Sequence, residues 1–370
     1  MDFLIHRDDL QRALGRVQGI VEKRSTSPIL SAVLIQAGAD GIRLVATDKA
    51  MTFFGDFAAT VRATGEVAVD AANFNQIARV LPNDVVSIKL VEGQRVEVKC
   101  GSSFFKLNGY AAADFPVTPP LDQSRVMRIE AKDLRRVIDQ TLFSVAPEDN
   151  RYGLNGAHVE DIPGDTRRVR VVSTDGNRLS WSQANYAGEL GIGRKMLLPR
   201  KALSEIRKLV DGLEGEVELA FGERAGLLRF PGVMLHVRLL EADFPDYRQV
   251  LPSNFKRKVV VERDLFQEAL RRVSVFAADS SRSVRFAFSG DGLVLTARKL
   301  DAGDAREELP VELVGEPITM GFNAHFIEQV LGVVPEGRVM IELGDTLSPC
   351  LVRSQQDEDA LFVVMPVRLD

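Results

Sequence analysis

The sequence predicts an α+β protein of three similar domains, each a pair of strand–helix–strands units. Three observations carry that prediction: a length of 370 residues, a pattern that recurs six times, and proline-containing breaks that group the recurrences in pairs. A chain this long exceeds one comfortable core, so two or three domains are expected. Hydrophobic content of 45% and charged content of 27% are ordinary for a folded soluble protein.

The first trio of recurrences reads "MDFLIHRDDLQRALGRVQGIV", "VMRIEAKDLRRVIDQTLFSV" and "RKVVVERDLFQEALRRVSVF". Each has an alternating, strand-like opening, an acidic turn that suits a helix N-terminus, and an amphipathic helix. Asp9-Leu10, Asp133-Leu134 and Asp264-Leu265 align, with Leu14, Ile138 and Ala269 next on the stripe and Val21, Val145 and Phe276 further along it. The second trio reads "GEVAVDAANFNQIARVLP", "RKMLLPRKALSEIRKLVDG" and "PITMGFNAHFIEQVLGVVPEG". Here Phe74, Ile77 and Leu81 share a helical register with Leu203, Ile206 and Val210, and with Ile327, Val330 and Val334. Strand-like runs such as "GIRLVATD", "RVRVVSTD" and "GRVMIEL" follow the helices. "ADFPVTPPLDQS" and "ADFPDYRQVLPSN" break the periodicity, which places domains at 1–121, 126–250 and 256–370. The apolar tail "LFVVMPVRLD" stands where the two "ADFP" segments stand elsewhere, and reads as a last strand.

No catalytic constellation is evident. His6, His158, His236 and His325 are scattered without metal-ligand spacing, and two cysteines cannot make a four-cysteine zinc site. "GELGIGRK" lacks the pattern of a phosphate-binding loop, and Asp-Gly in "STDGNRL" reads most simply as a tight turn. Cys100 and Cys350 read as small buried hydrophobes in a reducing cytoplasm. Residues 1–15 carry early acids and no long apolar core, so no secretory signal is expected. The longest apolar runs fall short of the roughly 18 residues that span a bilayer. A net charge of −5 argues against a strong overall positive field for gripping DNA. Local charge is different: Arg12, Arg16, Arg79, Arg135, Arg136, Lys201, Arg207, Lys208, Arg271 and Arg272 outnumber the acids beyond the helices' first turns. On one helix that is a solvated face. Repeated on six related helices, it also fits a surface that contacts phosphates without reading bases.

The sequence resembles the bacterial DNA polymerase III β subunit, the sliding clamp, from end to end. "SPIL", "RYGLNG", "STDGNRL", "LPRKAL", "FPDYRQVLP", "GFNAHF" and "VVMPVRL" occur in the family's order and spacing. The resemblance implies a non-catalytic processivity factor without a cofactor, ATP and magnesium belonging to a loader. It implies three DNA-clamp domains per chain and a head-to-tail homodimer closing as a ring around duplex DNA, helices inside and sheets outside. Implied partners are the polymerase III catalytic subunit, the clamp loader and repair or translesion polymerases, in the cytoplasm on the nucleoid, with no membrane role. Their short peptides, often led by glutamine and ending in leucine and phenylalanine, would dock at Leu154, Thr174, Gly176, Arg178, Leu179, Pro245, Val250, Val363, Met365, Pro366, Val367, Arg368 and Leu369. An apolar groove with a flexible methionine suits many related peptides. Arg24, Arg79, Tyr152, Arg200 and Lys201 match DNA-facing positions, and Phe105 and Leu107 would face Val275 and Phe276 across the seam. Those last four read equally as ordinary core.

Gln249 stands where arginine is common in the family, Asn177 where histidine is common, Gly153 where a second aromatic is frequent, and Asp370 follows the usual last leucine. Gln249 and Asp370 make the groove rim less basic, and Gly153 weakens one expected DNA contact. Two competing readings remain: an enzyme with "STDGNRL" as its active turn, and a DNA-binding protein that does not close into a ring. The first lacks a base, metal site or cofactor loop; the second is disfavoured by the negative charge.

Overall fold

A computed structural model describes residues 1–22, 27–116, 118, 125–147, 153–162, 167–189, 196–277 and 282–369. Six α-helices lie among them: α1 (Arg7–Val17), α2 (Ala71–Val80), α3 (Ala131–Leu142), α4 (Arg200–Leu209), α5 (Arg263–Ser274) and α6 (Ala324–Leu331). Each follows a short strand directly, and its third residue beyond the start is a buried apolar anchor: Leu10, Phe74, Leu134, Leu203, Phe266 and Ile327. Helix starts are capped where the sequence offers an acceptor, as Asp70 accepts from the Asn73 amide at 2.7 Å and Asn323 from the His325 amide at 3.0 Å.

One alignment shifts. Leu265 is 50% exposed, and Phe266 takes the place of Leu10 and Leu134. The strand before α5, Arg257–Glu262, has six residues where Asp2–His6 and Val126–Glu130 have five. Leu270 and Ala277 therefore carry the stripe that the sequence pattern placed on Ala269 and Phe276, although Ala269 is buried as well.

The chain forms two compact units: residues 1–128 with 188–191 and 216–239, and residues 129–187 with 192–215 and 240–370. The middle of the sequence contributes to both. In the first unit the strands Glu216–Phe221, Ala225–Phe230 and Val233–Arg238 extend the ladder of Met51–Phe57, Gly41–Thr47, Ala32–Gly38 and Gly65–Asp70. That ladder continues through Ser103–Tyr110, Arg95–Cys100, Val85–Val91 and Asp2–His6 to Thr60–Ala63. Helices α1 and α2 pack against each other over it, burying Leu10, Leu14 and Phe74.

In the second unit one ladder runs Met196–Pro199, Gly156–Asp161, Arg168–Thr174, Arg178–Asn185, Ala360–Val364, Cys350–Ser354, Arg338–Leu343, Arg257–Glu262 and Glu312–Val314. A four-stranded sheet, Gly303–Leu309, Gly292–Lys299, Ser283–Ser289 and Ile318–Asn323, completes it. The core beneath α5 and α6 centres on Phe286, whose ring meets Phe266 and Phe322 edge-on at 6.1 and 5.2 Å. Both cysteines are free and buried, and burial pushes the Cys350 thiol up to about 12.

Candidate functional site

The last strand, Ala360–Val364, pairs antiparallel with Arg178–Asn185, placing Val363 opposite Leu179 and Val364 opposite Arg178. Leu179 and Val363 are buried with Val172, Leu197, Phe244 and Tyr247, and Leu154, Trp181, Leu240, Leu251 and Leu361 pack half-buried against them. Three residues assigned from the sequence to a docking groove, Leu154, Leu179 and Val363, thus meet in one apolar cluster. Pro245 lies exposed on the neighbouring segment. Val250, Met365 and Leu369 leave apolar surface to solvent, at 53%, 40% and 37% exposure.

Thr174 and Gly176 act through the backbone. Thr174 Oγ1 donates to the Arg178 carbonyl at 2.6 Å and accepts from the Gly176 amide at 3.1 Å. Asp175 Oδ1 accepts the Asn177 and Arg178 amides at 3.0 and 3.1 Å, an Asx turn, and Gly176 sits at φ +90, which favours glycine. This turn receives the tail: the Met365 amide donates to the Asn177 carbonyl at 2.9 Å, and two residues on the Val367 amide donates to Gly321 at 2.8 Å. Pro366 bridges the two anchors, and Arg368 is exposed beyond them.

Arg178 is committed inward. Its Nε donates to Asp175 Oδ2 at 2.9 Å, its Nη2 to the Phe143 carbonyl at 2.5 Å and its Nη1 to Gln329. The guanidinium lies over Phe326 and Phe143, at 4.3 and 5.2 Å. Burial lowers its pKa from the usual arginine value, and Asp175 opposes that shift. Arg178 therefore braces the turn against α6 and the end of α3.

A polar cluster beside the Leu179–Val363 cluster escaped the sequence reading. Glu160 accepts from Tyr247 Oη at 2.5 Å and from Arg248 Nη2 at 2.8 and 3.1 Å, with His158 Nε2 at 3.5 Å. Burial opposes ionisation, but the contacts from His158, Tyr247 and Arg248 outweigh it and bring the Glu160 carboxyl down to about 2. The only signal was Tyr247 itself, inside "FPDYRQVLP".

The cations assigned to DNA divide. Arg79 is exposed in the last turn of α2, and Lys201 is exposed in the first turn of α4. Arg200 is half-buried, and its Nη1 donates to the carbonyls of Leu142, at 3.2 Å, and Val145. Arg24 and Tyr152 lie outside the described residues. On α3 and α4 the charges are interleaved: Arg135 meets Asp211 at 2.9 Å, and Arg207 meets both Asp211, at 3.3 Å, and Asp139.

Each unit has a strand with a largely open edge among the described residues, inside the ladder in the first unit and at the end of a sheet in the second. Ser103–Tyr110 pairs with Arg95–Cys100 along its length, but on its other side only Gly109 and Tyr110 reach Val69 and Ala68. Phe105 and Leu107 on this strand are half-buried. In the second unit Gly303–Leu309 pairs with Gly292–Lys299 and forms the end of its sheet. Phe276 lies against this strand, 3.4 Å from where a Cβ on Gly303 would sit, while Val275 is 72% exposed. The sequence reading missed Gly303–Leu309 because "GDAREEL" carries charge where a strand usually alternates. Among the described residues no cluster of three or more His, Cys, Asp or Glu side chains could hold a metal ion, and no helix is long and apolar enough to cross a membrane.

Repeated helix-on-sheet units of this kind are those of a DNA clamp. The matches in sequence are to the DNA polymerase III beta subunit: its N-terminal domain over residues 1–119, its central domain over 128–246 and its C-terminal domain over 248–368. The chain belongs to this family. It is 33% identical to the beta sliding clamp of Caulobacter vibrioides, 34% to that of Pseudomonas aeruginosa and 30% to that of Escherichia coli, each covering 100% of both chains. Among solved structures, the sliding clamps of Pseudomonas aeruginosa and Bartonella birtlesii, each bound to griselimycin, superpose with TM-scores of 0.92 and 0.95 at 33% and 30% identity, again over 100% of both chains.

Proposed function

We propose that this protein is the sliding clamp of a replicative DNA polymerase. It is not an enzyme; it keeps its partners on duplex DNA by topology. Each chain contributes three clamp domains, 1–121, 126–250 and 256–370, to a head-to-tail homodimer closed around the duplex. An acidic chain of net charge −5 is suited to that mode, since escape requires opening the ring whatever the salt.

The observation that carries the ring is one position of the repeat, filled three ways. Met51–Phe57 is covered by Val233–Arg238, with Thr52 opposite His236. Arg178–Asn185 is covered by Ala360–Val364, with Leu179 opposite Val363. Among the described residues the third such strand, Gly303–Leu309, has no cover within its unit, and the first covering strand, Ser103–Tyr110, meets a neighbour on its outer side only at Gly109 and Tyr110. A second copy of the chain satisfies both edges, and two such heterologous contacts close the assembly. The hairpins fix the register: Gly38–Gly41 matches Ser289–Gly292, and Phe230–Val233 matches Cys100–Ser103. Asp304 of one chain then faces Lys106 of the other, Arg306 faces Phe104, and Phe105 lies over Ala305 toward Phe276. Phe105 and Phe276 keep the seam role assigned from the sequence, with Leu107 and Val275 at its margin.

Partner peptides dock where the cross-strand pair is apolar, on the Leu179–Val363 cluster, with the tail residues Met365 to Leu369 as one wall and Pro245 and Val250 on another. The partners are the polymerase, the clamp loader that spends ATP and magnesium, and repair polymerases, working on the nucleoid in the cytoplasm. Arg79 and Lys201 face the DNA, and Arg24 and Tyr152, outside the described residues, are assigned to it by the resemblance alone. The test is retention on a nicked circle after loading with a compatible loader and ATP. Protein that survives a high-salt wash and leaves once the circle is cut is a topological clamp; protein that stays after the cut is not.

A further inference from the structure

We propose that Glu160 is a positioning residue of the docking groove, anchoring the Tyr247–Val250 turn so that Val250 stands as a fixed wall for the partner peptide. The inference rests on the docking reading given above. Gln249 and Val250 are exposed, so little packing of their own holds them. The turn is instead held from its first two residues. Tyr247 buries its ring in the apolar cluster and sends its hydroxyl to Glu160, and Arg248 closes on the same carboxylate. Arg170 completes the support, donating to Tyr247 Oη at 3.1 Å and to Gln183 at 3.2 Å while its guanidinium lies 4.5 Å from the Trp181 ring. Asp246 closes the turn locally, accepting the Gln249 amide on its carbonyl at 3.2 Å.

The internal repeat supplies an independent comparison. Gly156 lies opposite Pro199 as Ala32 lies opposite Asp70, so Glu160 corresponds to Gln36. The two "ADFP" segments equate Tyr247 with Thr118. At the first-unit junction Gln36 bonds Glu66 at 3.0 Å in solvent, and Thr118 bonds Thr52 at 2.9 Å. The same scaffold therefore carries the Glu160 anchor only beside the apolar Leu179–Val363 pair. A fixed wall raises affinity because the peptide does not spend binding energy ordering it.

The test uses the full-length dimer and a fluorescein-labelled pentapeptide that begins with glutamine and ends in leucine-phenylalanine, read by anisotropy. Amide exchange at residues 247–250 is followed in parallel. Glu160→Ala is expected to raise the Kd about tenfold and to speed exchange of the turn. Glu160→Gln keeps an acceptor for Tyr247 Oη, so it recovers part of the loss, to about threefold. Tyr247→Phe removes only the hydroxyl, leaves the ring in its cluster, and moves both readouts in the same direction should the alanine variant fold poorly. Faster exchange with a Kd within twofold of wild type overturns the proposal, and so does weaker binding with unchanged exchange. A wild-type protein that does not bind the peptide sinks the docking reading itself, and that outcome is visible before any variant is made.

Discussion

Gly321→Ala aims one methyl group at the anchor of the chain's last residues. A Cβ at this position would lie 2.7 Å from the Val367 carbonyl oxygen and 2.8 and 3.0 Å from Leu369 Cδ2 and Cγ. The obstacle includes backbone, so the tail has to move. Moving it breaks the 2.8 Å bond from the Val367 amide to Gly321, one of the tail's two backbone anchors. A net hydrogen bond contributes about 1 kcal/mol. Leu369 is 37% exposed, and losing half of its burial costs about 1 kcal/mol more. The sum, about 2 kcal/mol, shifts the ratio of seated to released tail about thirtyfold.

If the seated tail is a groove wall, the Kd for the labelled pentapeptide rises by about tenfold, with about thirtyfold as the ceiling. Anisotropy measures the affinity, and amide exchange at Met365 and Val367 reports the tail. Deleting Leu369 and Asp370 in the same background should add little, because both changes release one element. Fast exchange at Met365 and Val367 with an unchanged Kd would refute the groove role of the tail. Slow exchange there would refute the steric argument.

Three further outcomes are expected. Lys106→Glu or Asp304→Lys alone should weaken dimerisation several-fold, since each of two seams loses a facing pair of about 0.5–1 kcal/mol. The double exchange should recover most of it in sedimentation equilibrium. Lys106 also meets Glu97 at 3.0 Å, but that cost is common to the single and double variants and cancels in the cycle. A double variant no better than the worse single variant would mean the register is wrong. The Glu160 carboxyl is lowered from 4.5 to about 2, so its stabilisation is complete above the unfolded value and is lost as pH falls toward 2. The melting-temperature gap between wild type and Glu160→Gln should be constant above pH 5 and close below pH 4; a gap that widens on acidification contradicts the assignment. Arg200→Ala should lower stability by about 1.5–3 kcal/mol, because a charged donor to two carbonyls is removed. Arg79→Ala should leave stability unchanged and weaken DNA association at low salt, and the opposite pattern would exchange the two roles.

The sequence was most informative where side chains repeat. The helix stripes through Phe74, Leu203 and Ile327 are buried as their spacing demands, because an amphipathic helix on a sheet has one way to hide three apolar rows. The α5 stripe slipped by one residue because Asp264 marks an acidic first turn without marking which residue of that turn it occupies. Arg178 and Arg200 were legible as cations near the right elements but not as interior braces, since residue type does not reveal whether a guanidinium finds solvent or a carbonyl. Glu160 was invisible for the same reason: its partners lie 87 and 88 positions away in sequence.

The two junctions also show why a motif is poor evidence of a site. Thr47 Oγ1 donates to the Met51 carbonyl at 3.0 Å, Asp48 Oδ1 accepts the Ala50 and Met51 amides at 3.0 and 2.6 Å, and the Arg238 amide reaches the Ala50 carbonyl at 2.7 Å. These are the bonds of the Thr174–Arg178 turn and its Met365 contact, one repeat earlier. The Thr-Asp turn is therefore a joint between covered strands, used twice, and it recurs where no docking is proposed. What differs is the pair that the joint brings face to face: Leu179 with Val363, and Thr52 with His236, whose half-buried ring is pushed toward the neutral form by burial. On the proposed seam the same position pairs Asp304 with Lys106. The apolar pair is itself buried, so a docked peptide would cover the exposed Val250, Met365 and Leu369 around it; a polar pair with Thr118 bonded to Thr52 satisfies itself, and a charged pair favours an opposite edge. On the proposed function, one scaffold serves as a docking groove, a fixed joint and a closing seam through two side chains at each place, and exchanging those pairs between junctions should move function with them.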